Sequence, residues 1–410
     1  MLQLVSSERQ GTSRRFDVPK YAILLTLGEF TLPEIPESRR KPLLKQLADT
    51  YRTDPSSGVH GAVGWLLRKW GQAEVVREVD QTPVPYSLDR EWFTLAITVT
   101  PQLPPKPKEE PGKEKGESEL EPAKLEPPVE PLTPKTFYYT FIVFPSGSSE
   151  IGSVADEPDR HKSELRHVVT LTHPIALLDR EVTMEELIVF DPNYVRFMKQ
   201  FDQRPEDAGY AASWYDSVSF SRWLGQQSVL LESLDKETYP REPNPVANWA
   251  PRHWPLELGR RGFRLPTESE WEFASRAGSR TSYGYGSDAS LLGQFGWFQE
   301  NSGKHVHPPR ELRPSVRGVF DLQGNLYEWT HDWFTDFDAE SLTDPLGSKR
   351  GSSRVGRGGG WSYEAAYCRS ADRYAIAPTV RGISVGFRLA LSPSSESSGQ
   401  VAKPSDVGTE

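Results

Sequence analysis

Few side chains in this chain could do chemistry. Its 410 residues hold one cysteine, Cys368, and eight histidines, His60, His161, His167, His173, His253, His305, His307 and His331. A lone thiol cannot form an internal disulfide; Cys368 reads either as a small inert hydrophobe or as a reactive or metal-bound thiolate. His305-Val-His307 would put two imidazoles on one face of an extended strand, the beginning of a metal site, against the plainer reading of a solvated loop. No HxxxH pair falls on a helical pattern. The run Gly358–Gly360 is no phosphate loop, because it lacks the Lys-Ser/Thr pair and opens no helix. Beside it, Tyr363, Glu364, Tyr367, Asp372, Tyr374 and Arg381 read as exposed positions of one loop. Tyrosine and arginine anchor interfaces at low entropy cost, so these residues form a candidate recognition surface, although the same rings could be core.

Positioning falls to a framework rich in large rings, with 12 tryptophans and 15 tyrosines. Within Val355–Leu389, the glycines let the backbone approach closely and Trp361 follows, which reads as a strand entering a crowded core. The alternation of Ser384–Leu389 predicts a strand with Val385, Phe387 and Leu389 on one face. Two capping boxes, Thr183 with Glu186 and Thr267 with Glu270, predict helix starts, the second ahead of Trp271, Ala274 and Ala277. Between them, Trp214, Val218 and Ser221 share one side of a further helix, with Gly225 as its terminator. Nearer the N-terminus, residues 18–73 read as three short amphipathic helices resembling one HEAT-like repeat and a partner. The last runs from a cap at Asp54-Pro55 through Val59, Ala62, Val63, Leu66, Leu67 and Trp70 to Gly71. Such a piece cannot bury its stripe by itself and should pack on the domain that follows.

Composition narrows the function classes. A net charge of −9 argues against general binding to phosphate backbones, and 36% hydrophobic content suits a soluble chain. There is no run of 18 apolar residues and no signal-peptide pattern, and with one cysteine the expected compartment is the cytoplasm. Ten prolines and no aromatic residue lie between Pro101 and Pro134. That stretch reads as an extended, mobile linker. It either separates domains or is inserted between two strand-like segments, 90–98 and 136–147; pairing of 92–98 with 137–143 would decide. Residues 1–17 and 394–410 read as disordered ends.

Four blocks, in order, resemble the formylglycine-generating enzyme family, also called sulfatase-modifying factors. They are EVTMEEL from Glu181, RLPTESEWEFASRAG from Arg264, GVFDLQGNLYEWTHDW from Gly318, and Val355–Leu389 with its glycines, CR and GFR. The resemblance implies an α+β, C-type-lectin-like fold of low regular content over residues 88–393, with the linker as an insertion at 100–135. In that family a pair of cysteines binds Cu(I) and oxidises a substrate cysteine. Here the position of the first is Tyr363 and of the second Cys368, so copper oxidation is not expected, and the three-histidine iron site of the related sulfoxide synthases has no counterpart. The family's structural Ca²⁺ maps onto Asp321, the carbonyls of Gly324 and Leu326, and Glu328, with a second site at Asn301; the plainer reading is a turn held by hydrogen bonds. The implied function is a non-catalytic protein- or peptide-binding or scaffolding module of a bacterial multidomain effector or signalling system, with no nucleic-acid or membrane partner and a linker open to a regulatory protease. The alternative is a metal-dependent oxidoreductase using Cys368 or His305 and His307.

Overall fold

The computed structural model describes residues 17–101, 133–227, 256, 258, 262–336 and 341–393. The expected disordered stretches 1–17, 100–135 and 394–410, apart from their edges, and His253 lie outside the described residues. Four helices open the chain: α1 (Val18–Leu27), α2 (Glu37–Thr53), α3 (Ser57–Lys69) and α4 (Ala73–Asp80). The last is one more than the hydrophobic stripes indicated. Helix α3 is buried from Ser57 to Leu67, with α1, α2 and α4 around it. It starts two residues later than a cap at Asp54 with Pro55 in the first turn suggests. Asp54 instead caps α2, its Oδ1 accepts the Ser56 N–H, and Glu91 Oε2 of the following domain accepts the N–H of Ser57. Gly71, at φ +73°, ends the pattern in the left-handed conformation a helix terminator needs.

The helical segment is joined to the domain backbone to backbone. A Cβ on Gly58 would lie 2.2 Å from the Val316 carbonyl oxygen, and one on Gly61 2.7 Å from Gly318 Cα, so only glycine admits this approach. His60 is stacked between Tyr51 and Trp92, with ring centroids 4.1 and 3.8 Å apart. Burial pushes its pKa down to about 3, so it is a neutral spacer in the interface. Phe320 of the domain completes the helical core.

Beyond α4 the fold is α+β. Strands β1 (Trp92–Val99) and β2 (Lys135–Phe144) pair antiparallel from Trp92↔Ile142 to Val99↔Lys135. The strand before the proline-rich segment therefore belongs to the same sheet as the strand after it, and Lys135 is already a strand residue. Next come β3 (Gly147–Ile151), β4 (His167–Leu171) and β5 (Ile175–Leu178), then α5 (Met184–Phe190), α6 (Tyr194–Gln200), α7 (Trp214–Gln227) and α8 (Glu268–Arg276). The chain closes with β6 (Tyr327–Trp333), β7 (Leu342–Thr343), β8 (Arg354–Arg357), β9 (Tyr374–Ile376), β10 (Val385–Gly386) and β11 (Ala390–Leu391). Three small sheets result, ordered β1-β2-β5-β11, β10-β6-β8-β9 and β3-β4-β7. Helix α7 runs through Gly225 rather than stopping there. Of the expected strand Ser384–Leu389 only Val385–Gly386 is strand, and 387–389 run without strand pairing into β11 of another sheet; Val385, Phe387 and Leu389 are buried together as read, but Arg388 between them is buried too.

Both capping boxes form, and each carries a device the spacing did not announce. Arg180, three residues before Thr183, donates two hydrogen bonds to Glu186 at 2.9 and 2.8 Å; Arg264, three before Thr267, does the same to Glu270 at 2.6 and 2.8 Å. Burial opposes ionisation of Glu270, but Arg264, the His173 imidazole 3.8 Å away and the capped backbone outweigh it and hold its pKa near 2. Arg264, Arg276, Arg354, Arg357 and Arg388 are all among the largest fully buried side chains. A core of tryptophans held by buried guanidinium pairs replaces the aliphatic packing that longer regular elements would supply.

Candidate functional site

The glycine run makes a turn at the end of β8. Gly358 and Gly359 take φ +95° and +75°, and Trp361 lies partly exposed at the surface, where its indole donates to Ile383 O. A Cβ on Gly359 would fall 2.5 Å from Cys368 Sγ. That sulfur is wholly buried beside Tyr283, Leu292 and Phe298, and burial pushes its pKa up to about 12. The thiol thus faces the core, and Tyr363 holds the outward position.

Tyr363 belongs to a chain of four phenols. Its ring meets Tyr327 edge-on at 4.9 Å and Tyr367 at 5.8 Å; Tyr374 is stacked on Tyr327 at 4.9 Å. Tyr327 is fully buried at the base, Tyr363 and Tyr367 are half-buried, and Tyr374 is 39% exposed. The candidate surface is therefore a layer of tyrosines rather than a row of free side chains. Asp372, expected at the surface, is 2% exposed beneath it: its Oδ2 accepts from the Tyr327 hydroxyl at 3.2 Å and its Oδ1 lies 3.8 Å from His161 Nε2. Burial, then Glu164, raises the Asp372 pKa to about 6 against the opposing pull of Arg369 and Arg357. Glu164 is itself held by Arg369 on both oxygens, at 2.7 and 2.8 Å, and Arg369 also binds Glu157. The donor atoms of His161, Glu164 and Asp372 come within 4.8 Å of one another, yet with Glu164 already paired they form an acidic wall. Glu364 precedes the short helical turn Ala365–Cys368. Arg381 stands apart from the tyrosines, bonded to Asp216 at 2.8 Å and to the Tyr194 hydroxyl at 3.2 Å.

A second centre lies under the Asp321–Glu328 turn. Glu328, read as a cation ligand, is engaged on both oxygens: Arg388 donates at 2.5 and 2.6 Å and the Trp271 indole at 2.8 Å. Glu181, unremarked by spacing although it opens the first family block, faces this turn. Asn325 Nδ2 donates to its Oε1, while Glu181 Oε2 and Asp321 Oδ1 are buried without a hydrogen-bond partner. Burial and then the Asp321 charge push Glu181 well above the usual carboxyl range, and burial raises Asp321 to about 7. Gly324 takes φ +113°, and Leu326 is buried. Asn301 spends both ends of its amide inside its own turn, accepting from Phe298 N and donating to Gly296 O.

His305 and His307 do lie together, with ring centroids 4.1 Å apart, but in a coil. His307 is stacked on Trp297 at 3.7 Å, and each histidine has one ring nitrogen on a backbone carbonyl, His305 on Val306 and His307 on Ser302. Near them runs a groove of about 570 Å³ lined by Phe201, Gln203, Tyr210, His305, Trp361 and Ile383, which periodicity could not reveal because its walls come from four separate loops.

The short sheets, sparse helices and aromatic-walled terminal loop define an α+β domain of the C-type-lectin-like class. Residues 131–393 match the family model described as the sulfatase-modifying factor enzyme 1-like domain. This chain belongs to that family, the formylglycine-generating enzymes and their relatives. It is 30% identical over 202 residues to the formylglycine-generating enzyme of Streptomyces coelicolor, a match spanning 44% of this chain and 61% of that enzyme. A stretch of 136 residues is 35% identical to the serine/threonine-protein kinase Pkn1 of Chlamydia trachomatis, covering 32% of this chain and 21% of the kinase. Among solved structures, Treponema denticola variable protein 1 superposes with a TM-score of 0.52 at 26% identity, over 63% of this chain and 96% of that one. Among the described residues no helix is long and apolar enough to cross a membrane.

Proposed function

We propose that this chain is a non-catalytic member of its family, a protein-binding module that keeps the domain's shape and has given up copper oxidation. The observation that carries this is the pair Tyr363 and Cys368. A two-coordinate Cu(I) site takes two soft thiolates; here one position is a phenol packed on Tyr327 and the other is a sulfur turned into the core. The residues present do not fit copper. The half-open tyrosine layer supports binding instead, since such rings give contact area at low entropy cost. A home in a multidomain effector or signalling system of a reducing, cytoplasmic compartment agrees with the single cysteine and with the matched stretch being only a fifth of the length of the Chlamydia kinase. The test replaces Tyr374 in the full chain with a photoreactive benzoylphenylalanine and irradiates it in its native lysate. A discrete protein adduct, competed by unmodified chain, is expected. Stoichiometric copper or iron with oxygen uptake on thiol peptides would overturn the reading.

A structural divalent cation, Ca²⁺, belongs to the same proposal, with a ligand set shifted from the family pattern. Glu181, Asp321 and Glu328 face one guanidinium, Arg388, an excess of two buried negative charges when all are ionised. With Glu328 committed to Arg388, the orphaned oxygens of Glu181 and Asp321 are the atoms suited to a hard cation. EGTA is expected to lower the melting temperature of the wild type and to leave that of Glu181→Gln unchanged; equal responses in the two would remove Glu181 from the site.

A further inference from the structure

The turn that carries Asp321 also carries the surface on which the helical segment sits. Gly318 lies against α3, where an added Cβ would fall 2.1 Å from the Ser57 carbonyl oxygen, and Phe320 is buried in the core of the four helices. Asp321 follows at once, at φ +56°, with Oδ1 orphaned and Oδ2 accepting from the backbone N–H of Arg310 at 2.8 Å. From there a second route leads back to the helices. The Arg310 guanidinium donates to Asp179 at 2.5 Å and lies 3.7 Å from Asp80, the last residue of α4, which accepts from the Tyr51 hydroxyl of α2 at 2.6 Å. The two routes meet, because the Phe320 N–H donates to Asp179 O at 2.8 Å. Arg310 is itself left-handed, at φ +70°, a conformation that a residue with a side chain keeps only where its contacts hold it. Those contacts are Asp321 on one side and Asp179 with Asp80 on the other.

We infer that the helical segment is a cation-responsive arm: a divalent ion held by Glu181 and Asp321 fixes the turn and, through Phe320 and Arg310, tightens the docking of α1–α4 on the domain. This rests on the structural-cation reading above and gives that site a regulatory consequence. With no ion to neutralise them, Glu181 and Asp321 oppose each other as like charges in a buried setting. Any shift of Asp321 that relieves this is passed on, since Phe320 is its chain neighbour and Arg310 is bonded to its carboxylate. The coupling is reciprocal: what the ion contributes to docking of the arm, the docked arm contributes to affinity for the ion.

The experiment measures hydrogen–deuterium exchange of the full-length chain in excess calcium chloride and in EGTA, and calcium affinity by titration calorimetry. Calcium is expected to slow exchange in peptides covering 57–80 as well as in the turn 318–328. Asp80→Asn alters only the arm's end of the contacts, yet by reciprocity it should weaken calcium binding about fivefold. Asp49→Asn, at an exposed pair with Arg52 on the same arm, should leave the affinity unchanged. The wild-type exchange comparison needs no variant, so it reports even if Asp80→Asn folds poorly. Calcium binding with exchange of 57–80 unchanged, or with equal affinity in a folded Asp80→Asn, would overturn the arm and leave the structural cation standing. No calcium binding at all would remove both.

Discussion

Cys368 illustrates how burial decides reactivity. A thiol with its pKa near 12 and no exposed surface is almost entirely protonated at pH 8 and out of reach of a disulfide reagent. The folded protein should therefore show no reaction with dithionitrobenzoate over an hour, and one equivalent on unfolding; fast labelling in the native state would restore a reactive role. Asp372 tests the other ionisable group beneath the tyrosines. Its pKa rises from 3.8 to about 6 on folding, so the folded state holds the proton longer. The stability this gives is complete below about pH 4 and is lost as the pH rises through 6, a difference of the order of 3 kcal/mol. Denaturant melts of wild type and Asp372→Asn should show the wild type losing ground to the variant between pH 4 and 7. Parallel curves would mean the carboxyl is solvated.

Among the elements, α5 and α8 are begun by the same device, an arginine three residues before the cap locked onto the capping glutamate. In α8 both partners are at most 1% exposed, so removing one leaves a buried charge with nothing opposite. Arg264→Met should cost about 3–5 kcal/mol, whereas adding Glu270→Gln to it should recover a substantial part. The check is a double-mutant cycle by urea denaturation. If the double variant is no more stable than Arg264→Met, the ion pair is not what the single variant lost. Helix α3 is held differently, by glycines and by Glu91 capping it from outside, which is why its true start could not be read from its own residues.

For the whole molecule, the register from Trp92↔Ile142 to Val99↔Lys135 means that the proline-rich segment connects two strands already side by side. Replacing residues 102–132 by a direct join should leave the fold intact. The shortened connection lowers the loop-closure cost by at most roughly 2 kcal/mol, so the melting temperature is expected to hold or rise. Loss of cooperative unfolding would show that the segment supplies contacts to the domain. The helical segment, in contrast, is not separable in this way: Phe320, Val316 and Gly318 of the domain are part of its packing surface.

Family and fold class were legible in the sequence because they are written in local patterns: two capping boxes, an alternating terminal stretch and four ordered blocks. That the chain has a single cysteine, on which the proposed loss of copper oxidation rests, was legible as well. The sequence also brought Tyr363, Tyr367 and Tyr374 forward as a surface, but it could not show that Tyr327, from β6, forms the base on which they stack, or that Asp372 is buried among them. Nor could it show that Glu328 belongs to Arg388 while Glu181, well over a hundred residues away, faces Asp321. Local spacing fixes which side chains leave a helix or strand on the same side. Which charge meets which across three small sheets depends on how distant segments pack, and in a core held by buried guanidinium pairs that packing assigns every carboxylate its role.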